Sequence, residues 1–228
     1  SNDSFVGVLG GTSTLTAGDY IQGGAGTDSL DVSITGATAL SIAGVVSKGV
    51  ESVNISNYNT NASADTINLA QFTGLTELNQ VGSSANGDTT FTNVGNVVNS
   101  TMLNGSGDLA LTYTDAAVVG TTDSATLTLG NQTGGAYILS SASAGGIDTL
   151  SVTSGTSKNT VNITDSTRNI LKAVNIDGSA ALVSTIDSDS LRTVDGSNAT
   201  GALTLTTAVT GDMVIKGGSG ADTITFTT

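Results

Sequence analysis

The chain has no cysteine, no histidine, no proline and no tryptophan among its 228 residues. Without cysteine there are no disulfides, no thiolate metal ligands and no thiol nucleophile. Without histidine, the Ser-His-Asp arrangement and imidazole metal sites are excluded. Positive charge is scarce: six Lys and Arg stand against nineteen Asp and Glu, for a net charge of −13. That is the wrong sign for a phosphate backbone, so no nucleic-acid partner is expected. No apolar run approaches the roughly 18 residues of a helical bilayer crossing, and no membrane span is expected. Helical periodicity is nearly missing as well. Its best candidate, Ser166 to Val174, is too short to stand alone.

What is present is a turn-and-strand vocabulary. Aromatics make up 4% of the chain, so the expected core is thin and built mainly from Ala, Val, Leu and Ile. Ser, Thr, Asn, Gly and Asp fill most of the rest, supplying turns and pleated surfaces. Short alternating runs recur, among them Leu30-Asp31-Val32-Ser33-Ile34, Leu109-Ala110-Leu111-Thr112-Tyr113 and Ala125-Thr126-Leu127-Thr128-Leu129. Each is bounded by Gly, Asn, Asp or Ser and predicts a strand with one buried face.

A longer period runs through these strands. Writing U for a large apolar residue, Val50 to Ile55, Leu75 to Asn79, Leu171 to Ile176 and Leu191 to Asp195 all begin U-x-x-U-(Asn or Asp). A spacing near 20 to 25 residues points to a solenoid, whose coils bury their apolar faces only by stacking. Asn and Asp after the strand are expected to stack as ladders at coil corners. The expectation is all-β: a right-handed parallel β-solenoid of roughly ten coils with short strands and Gly/Asp-rich turns, one segment over residues 1–228. A β-sandwich is the alternative, although it normally spends aromatics and prolines that this chain lacks.

One motif occurs twice in full. Gly23-Gly24-Ala25-Gly26-Thr27-Asp28-Ser29-Leu30 returns as Gly217-Gly218-Ser219-Gly220-Ala221-Asp222-Thr223-Ile224. Glycines let the backbone turn its carbonyl oxygens inward, Asp adds an anionic oxygen, and Ca²⁺ prefers all-oxygen shells. Each copy alone supplies half a site, so the other half must come from another turn. Asp3 and Asp19 stand before the first copy as candidates. Weaker echoes appear at Gly145-Gly146-Ile147-Asp148, at Asn104-Gly105-Ser106-Gly107-Asp108 and at Asp65-Thr66-Ile67. The metal-ligating candidates are therefore Gly23, Gly24, Gly26, Asp28, Gly217, Gly218, Gly220, Asp222, Asp19 and Asp148. Seventeen of the nineteen acids are Asp, which suits turns and calcium better than helix surfaces.

The run from Thr14 to Leu30, followed by Gly49-Val50-Glu51-Ser52-Val53-Asn54-Ile55, resembles the pattern of RTX-bearing bacterial surface-layer proteins and related large adhesins. Matching motifs cover about a third of the chain. The resemblance implies a calcium-stabilised solenoid, export by a type I system and self-assembly into a lattice on the cell surface. Surface polysaccharide is a further expected partner. On this reading the chain is an excerpt of a longer secreted structural protein and not an enzyme. The alternative within the resemblance is an adhesin module that binds glycan or protein.

Overall fold

The computed structural model describes residues 1–143, 145–166, 169–209 and 211–227. It is all-β, a parallel solenoid of about nine turns. A ten-stranded sheet collects Ser4–Leu9, Ser29–Ile34, Ser52–Asn57, Glu77–Ser83, Asn99–Leu103, Ser124–Gly130, Thr149–Gly155, Ala173–Gly178, Thr193–Ala199 and Val214–Lys216 in chain order. A second sheet of nine strands runs from Ser41–Ile42 through Asp65–Asn68, Thr89–Val94, Leu109–Tyr113, Thr133–Ser141, Asn159–Asp165, Leu182–Asp187 and Leu203–Ala208 to Thr223–Thr227. Tyr20–Gln22, Val46–Lys48 and Phe72–Thr73 form a short third sheet in the first coils alone. Every strand pairing among the described residues is parallel. A sandwich built on antiparallel pairs is thereby excluded.

The register explains the period in the sequence. Ser29 pairs with Ser4 and with Ser52, Thr193 with Ala173, and Leu127 with Ser100. Coil length thus varies, and the repeat is imperfect for that reason. In each U-x-x-U motif the first apolar residue (Val50, Leu75, Leu171 or Leu191) is buried at a corner. The second (Val53, Leu78, Val174 or Val194) is buried inside the strand that follows.

Stacking converts these positions into ladders. Leu30, Val53, Leu78, Ser100, Leu127, Val152 and Ile176 follow one another in register along the first sheet. Phe91, Leu111 and Leu139 do the same on the second. The core is less thin than the composition suggests, because Tyr113, Tyr137 and Phe91 are fully buried at its centre. Tyr137 donates its hydroxyl hydrogen to Ser100 Oγ at 3.1 Å, which ties the second sheet to the polar rung of the first. Burial pushes the Tyr137 phenol up to about 12.

Two local features are resolved by the fold. Asn131 and Asn104, each just after a strand, form a corner ladder in which Asn131 Nδ2 donates to Asn104 Oδ1 at 3.0 Å. The Asn and Asp of the U-x-x-U motifs ladder on the outward face within the first sheet. There Asn54 Nδ2 donates to Asp31 Oδ1 at 2.7 Å and Asn79 Nδ2 to Asn54 Oδ1 at 2.9 Å. The helical candidate Ser166 to Val174 falls partly outside the described residues, and its end belongs to the strand Ala173–Gly178.

Candidate functional site

The motif aspartates share one job. Asp28, Asp65, Asp108, Asp148 and Asp222 each stand at the entry to a strand, and each accepts a main-chain N–H from the residue in the same column of an adjoining coil. Asp28 Oδ1 accepts from Asp3 at 2.6 Å, Asp65 Oδ1 from Leu40 at 2.7 Å and Asp108 Oδ1 from Ala136 at 2.7 Å. Asp148 Oδ2 accepts from Asp123 at 3.0 Å and Asp222 Oδ1 from Leu203 at 2.9 Å. A parallel sheet leaves corner N–H groups without a ladder partner, and a carboxylate one coil away supplies it. The recurrent Asp-x-U-x-U pattern is the sequence trace of this clamp.

The candidates differ in what remains after that bond. Asp222 has nothing left, since Oδ2 accepts from Gly218 N at 2.8 Å. Asp148 is neutralised by Lys172 Nζ at 2.6 Å while its own side chain is buried. Asp19 folds back on its own turn, where Oδ2 accepts from Thr16 N at 2.7 Å and is 3.3 Å from Thr16 Oγ1. Asp28 is the exception. It is fully buried, and its Oδ2 has no hydrogen-bond partner.

That orphaned oxygen packs closely against Gly23. A Cβ placed on Gly23 would lie 2.5 Å from Asp28 Oδ2 and would collide with the Gly49 carbonyl oxygen. Two oxygens, one anionic and one main-chain, therefore converge on the bare Cα of Gly23. Gly24 has φ +94 and Gly49 φ +60, so the chain bends there in the left-handed region. Glu51 closes the corner, with Oε2 accepting from Asp28 N at 2.7 Å. Asp3 joins through its main-chain N–H and its carbonyl, the latter accepting from Ser29 N at 2.9 Å.

The two full motif copies do not meet. Asp28 precedes the second strand of the first sheet, whereas Asp222 precedes the strand at the far end of the second. As a donor set for a hard cation, the Asp28 corner fits: a buried free carboxylate oxygen beside a carbonyl oxygen. At Asp222 and Asp148 both oxygens of the carboxylate already accept hydrogen bonds, and Asp19 uses Oδ2 within its own turn. Among the described residues no three His, Cys, Asp or Glu side chains gather as a metal cluster. Any ion at Asp28 would rely largely on carbonyl and water oxygens.

One carboxylate behaves differently with pH. Burial raises the Asp108 carboxyl above its ordinary value, the Ala136 N–H opposes that, and the neighbouring Asp88 raises it further. A raised folded-state value means that protonation favours the fold. This contribution is complete below about pH 3.8 and is lost as pH rises through the folded value. Asp108→Asn keeps an acceptor for Ala136 N and removes the charge. It is expected to melt higher than the parent at pH 7 and alike at pH 3. Melting curves across that range check this, and a lower melting temperature at pH 7 would count against it.

No family model, curated protein or solved structure matches this chain. The chain is a parallel β-solenoid with carboxylate-clamped corners. No helix among the described residues is long and apolar enough to cross a membrane.

Proposed function

We propose that this chain is a calcium-stabilised structural segment of a self-assembling bacterial surface layer, placed outside the cell. The observation that carries the calcium reading is the unpartnered, buried Asp28 Oδ2 in the cradle at Gly23 and Gly49. Asp28, with main-chain oxygens of the adjoining glycine turns, would hold the ion. Bound calcium supplies positive charge where a buried anionic oxygen has no other partner.

A site with a single free carboxylate oxygen belongs with weak calcium modules, on the order of 10⁻⁴–10⁻³ M, which suits an extracellular protein. The architecture supports a structural role. About nine coils at ~4.8 Å per rung give a stack roughly 40 Å long around one continuous core. The resemblance of the first 55 residues to RTX-bearing surface-layer proteins supplies the lattice part of the reading.

The test is a calcium titration followed together by light scattering and electron microscopy, with magnesium as control. Ordered, growing assemblies are expected in calcium, and a monodisperse species in chelator and in magnesium. Identical scattering in all three conditions would remove the assembly half of the proposal.

A further inference from the structure

The outward rungs of the first sheet differ between its two ends. Near the start, Asp31, Asn54 and Asn79 lie in register and bond to one another. Near the end another outward column holds Ser151, Asn175 and Asp195 in register. These do not bond to one another. Asp195 turns away to Lys216 Nζ at 2.7 Å and to the Ser197 hydroxyl at 2.6 Å, and these bonds hold its carboxyl well below the usual range.

A bulge lies at these rungs. Asn175 pairs with Asp195 but Asp177 pairs with Asn198, so Gly196 and Ser197 both stand opposite Ile176. Beside the bulge lies a depression of about 290 Å³ whose lining includes Asn175, Ile176, Asp177, Asp195, Ser197 and Asn198. Asn175, Asp177 and Asn198 are exposed, and their side chains have no partner among the described residues. The groove therefore presents two amides, each with donors and an acceptor, and one unpaired carboxylate that only accepts. Successive rungs place these groups ~4.8 Å apart.

We propose that this groove binds a neutral carbohydrate. Sugar hydroxyls both donate and accept, which matches amides beside a carboxylate. An anionic ligand would meet Asp177 on a chain of net charge −13. A hard divalent cation finds too little, because Asp195 is already compensated by Lys216 and calcium seeks six to eight oxygens. The volume sits near the lower end for small-molecule sites and suits one or two sugar rings. The groove lies on the late rungs of the first sheet, away from the Asp28 corner. The inference does not depend on the calcium reading.

The experiment follows the side-chain amide signals of Asn175 and Asn198 by NMR, in calcium buffer. The probes are neutral gluco-, galacto-, manno- and chito-oligosaccharides, added separately, with calcium titrated in a parallel sample. At least one sugar is expected to shift both amides saturably. In the Asn175→Ala, Asn198→Ala double variant its affinity should fall about tenfold or more, with an unchanged melting temperature because both side chains are exposed and unpaired. Three results would overturn the proposal: no shift with any sugar, equal affinity in the double variant, or shifts caused by calcium and by none of the sugars.

Discussion

Gly23→Ala is expected to melt well below the parent protein, and further below it than Gly24→Ala does. The two glycines are adjacent in one motif, yet the fold needs each for a different reason. A methyl group on Gly23 has nowhere to go. It meets the Gly49 carbonyl oxygen, which belongs to the backbone of the next coil, and also Asp28 Oδ2 at 2.5 Å. Backbone cannot step aside as a side-chain tip can, so the coils must separate locally. Overpacking of this kind costs about 3 kcal/mol. For a chain of this size that corresponds to roughly 6–12 °C in melting temperature.

A methyl on Gly24 meets nothing within 4 Å. Its cost comes only from φ +94, a conformation that side-chain-bearing residues resist by about 1–2 kcal/mol. Thermal unfolding of the two variants by circular dichroism decides the matter. If Gly23→Ala melts with the parent, or above Gly24→Ala, the close approach of Gly49 to Gly23 is wrong. The cradle proposed for calcium would then be wrong with it.

These glycines show what could be read in advance and what could not. The period was legible because apolar corner residues such as Val50, Leu75, Leu171 and Leu191 are buried whatever the coil length, so each leaves a mark in the sequence. Coil length itself was blurred, since register steps differ between neighbouring coils. Gln80 was invisible as a core residue. It lies between Ile55 and Met102 in an apolar ladder and donates to the carbonyls of Gly87 and Asp108, which only the folded chain brings near. The third sheet left no signal either, because strands such as Phe72–Thr73 are too short to alternate.

The Asp motif was found but only half understood. Its glycines and its spacing are local, so they can be recognised. Its hydrogen-bond partner is an N–H in a neighbouring coil, at a distance along the chain that no local pattern fixes. That is why Asp28 and Asp222 look equivalent as text and differ as chemistry.

Their difference yields the second large effect. In the parent protein, calcium at 100 times its dissociation constant is expected to stabilise the fold by about 2.7 kcal/mol. That amounts to roughly 5–10 °C, lost on adding chelator. Asp28→Asn should erase this increment. Its amide oxygen can still accept from Asp3 N, while its amide nitrogen replaces the unpartnered oxygen and can donate toward the Gly49 carbonyl. The variant is therefore expected to melt at one temperature in calcium and in chelator, at or above the chelated parent.

Asp222→Asn should behave in the opposite way. Both of its oxygens accept main-chain N–H groups, from Leu203 and from Gly218, and an amide nitrogen can accept neither. One bond is lost at a cost of about 1 kcal/mol, in calcium and in chelator alike, while the calcium increment survives. Calorimetry of the three proteins in both buffers separates the roles. A full calcium response in Asp28→Asn would leave the Asp28 corner as a purely structural clamp, and loss of the response in Asp222→Asn alone would place the ion at the other end of the solenoid.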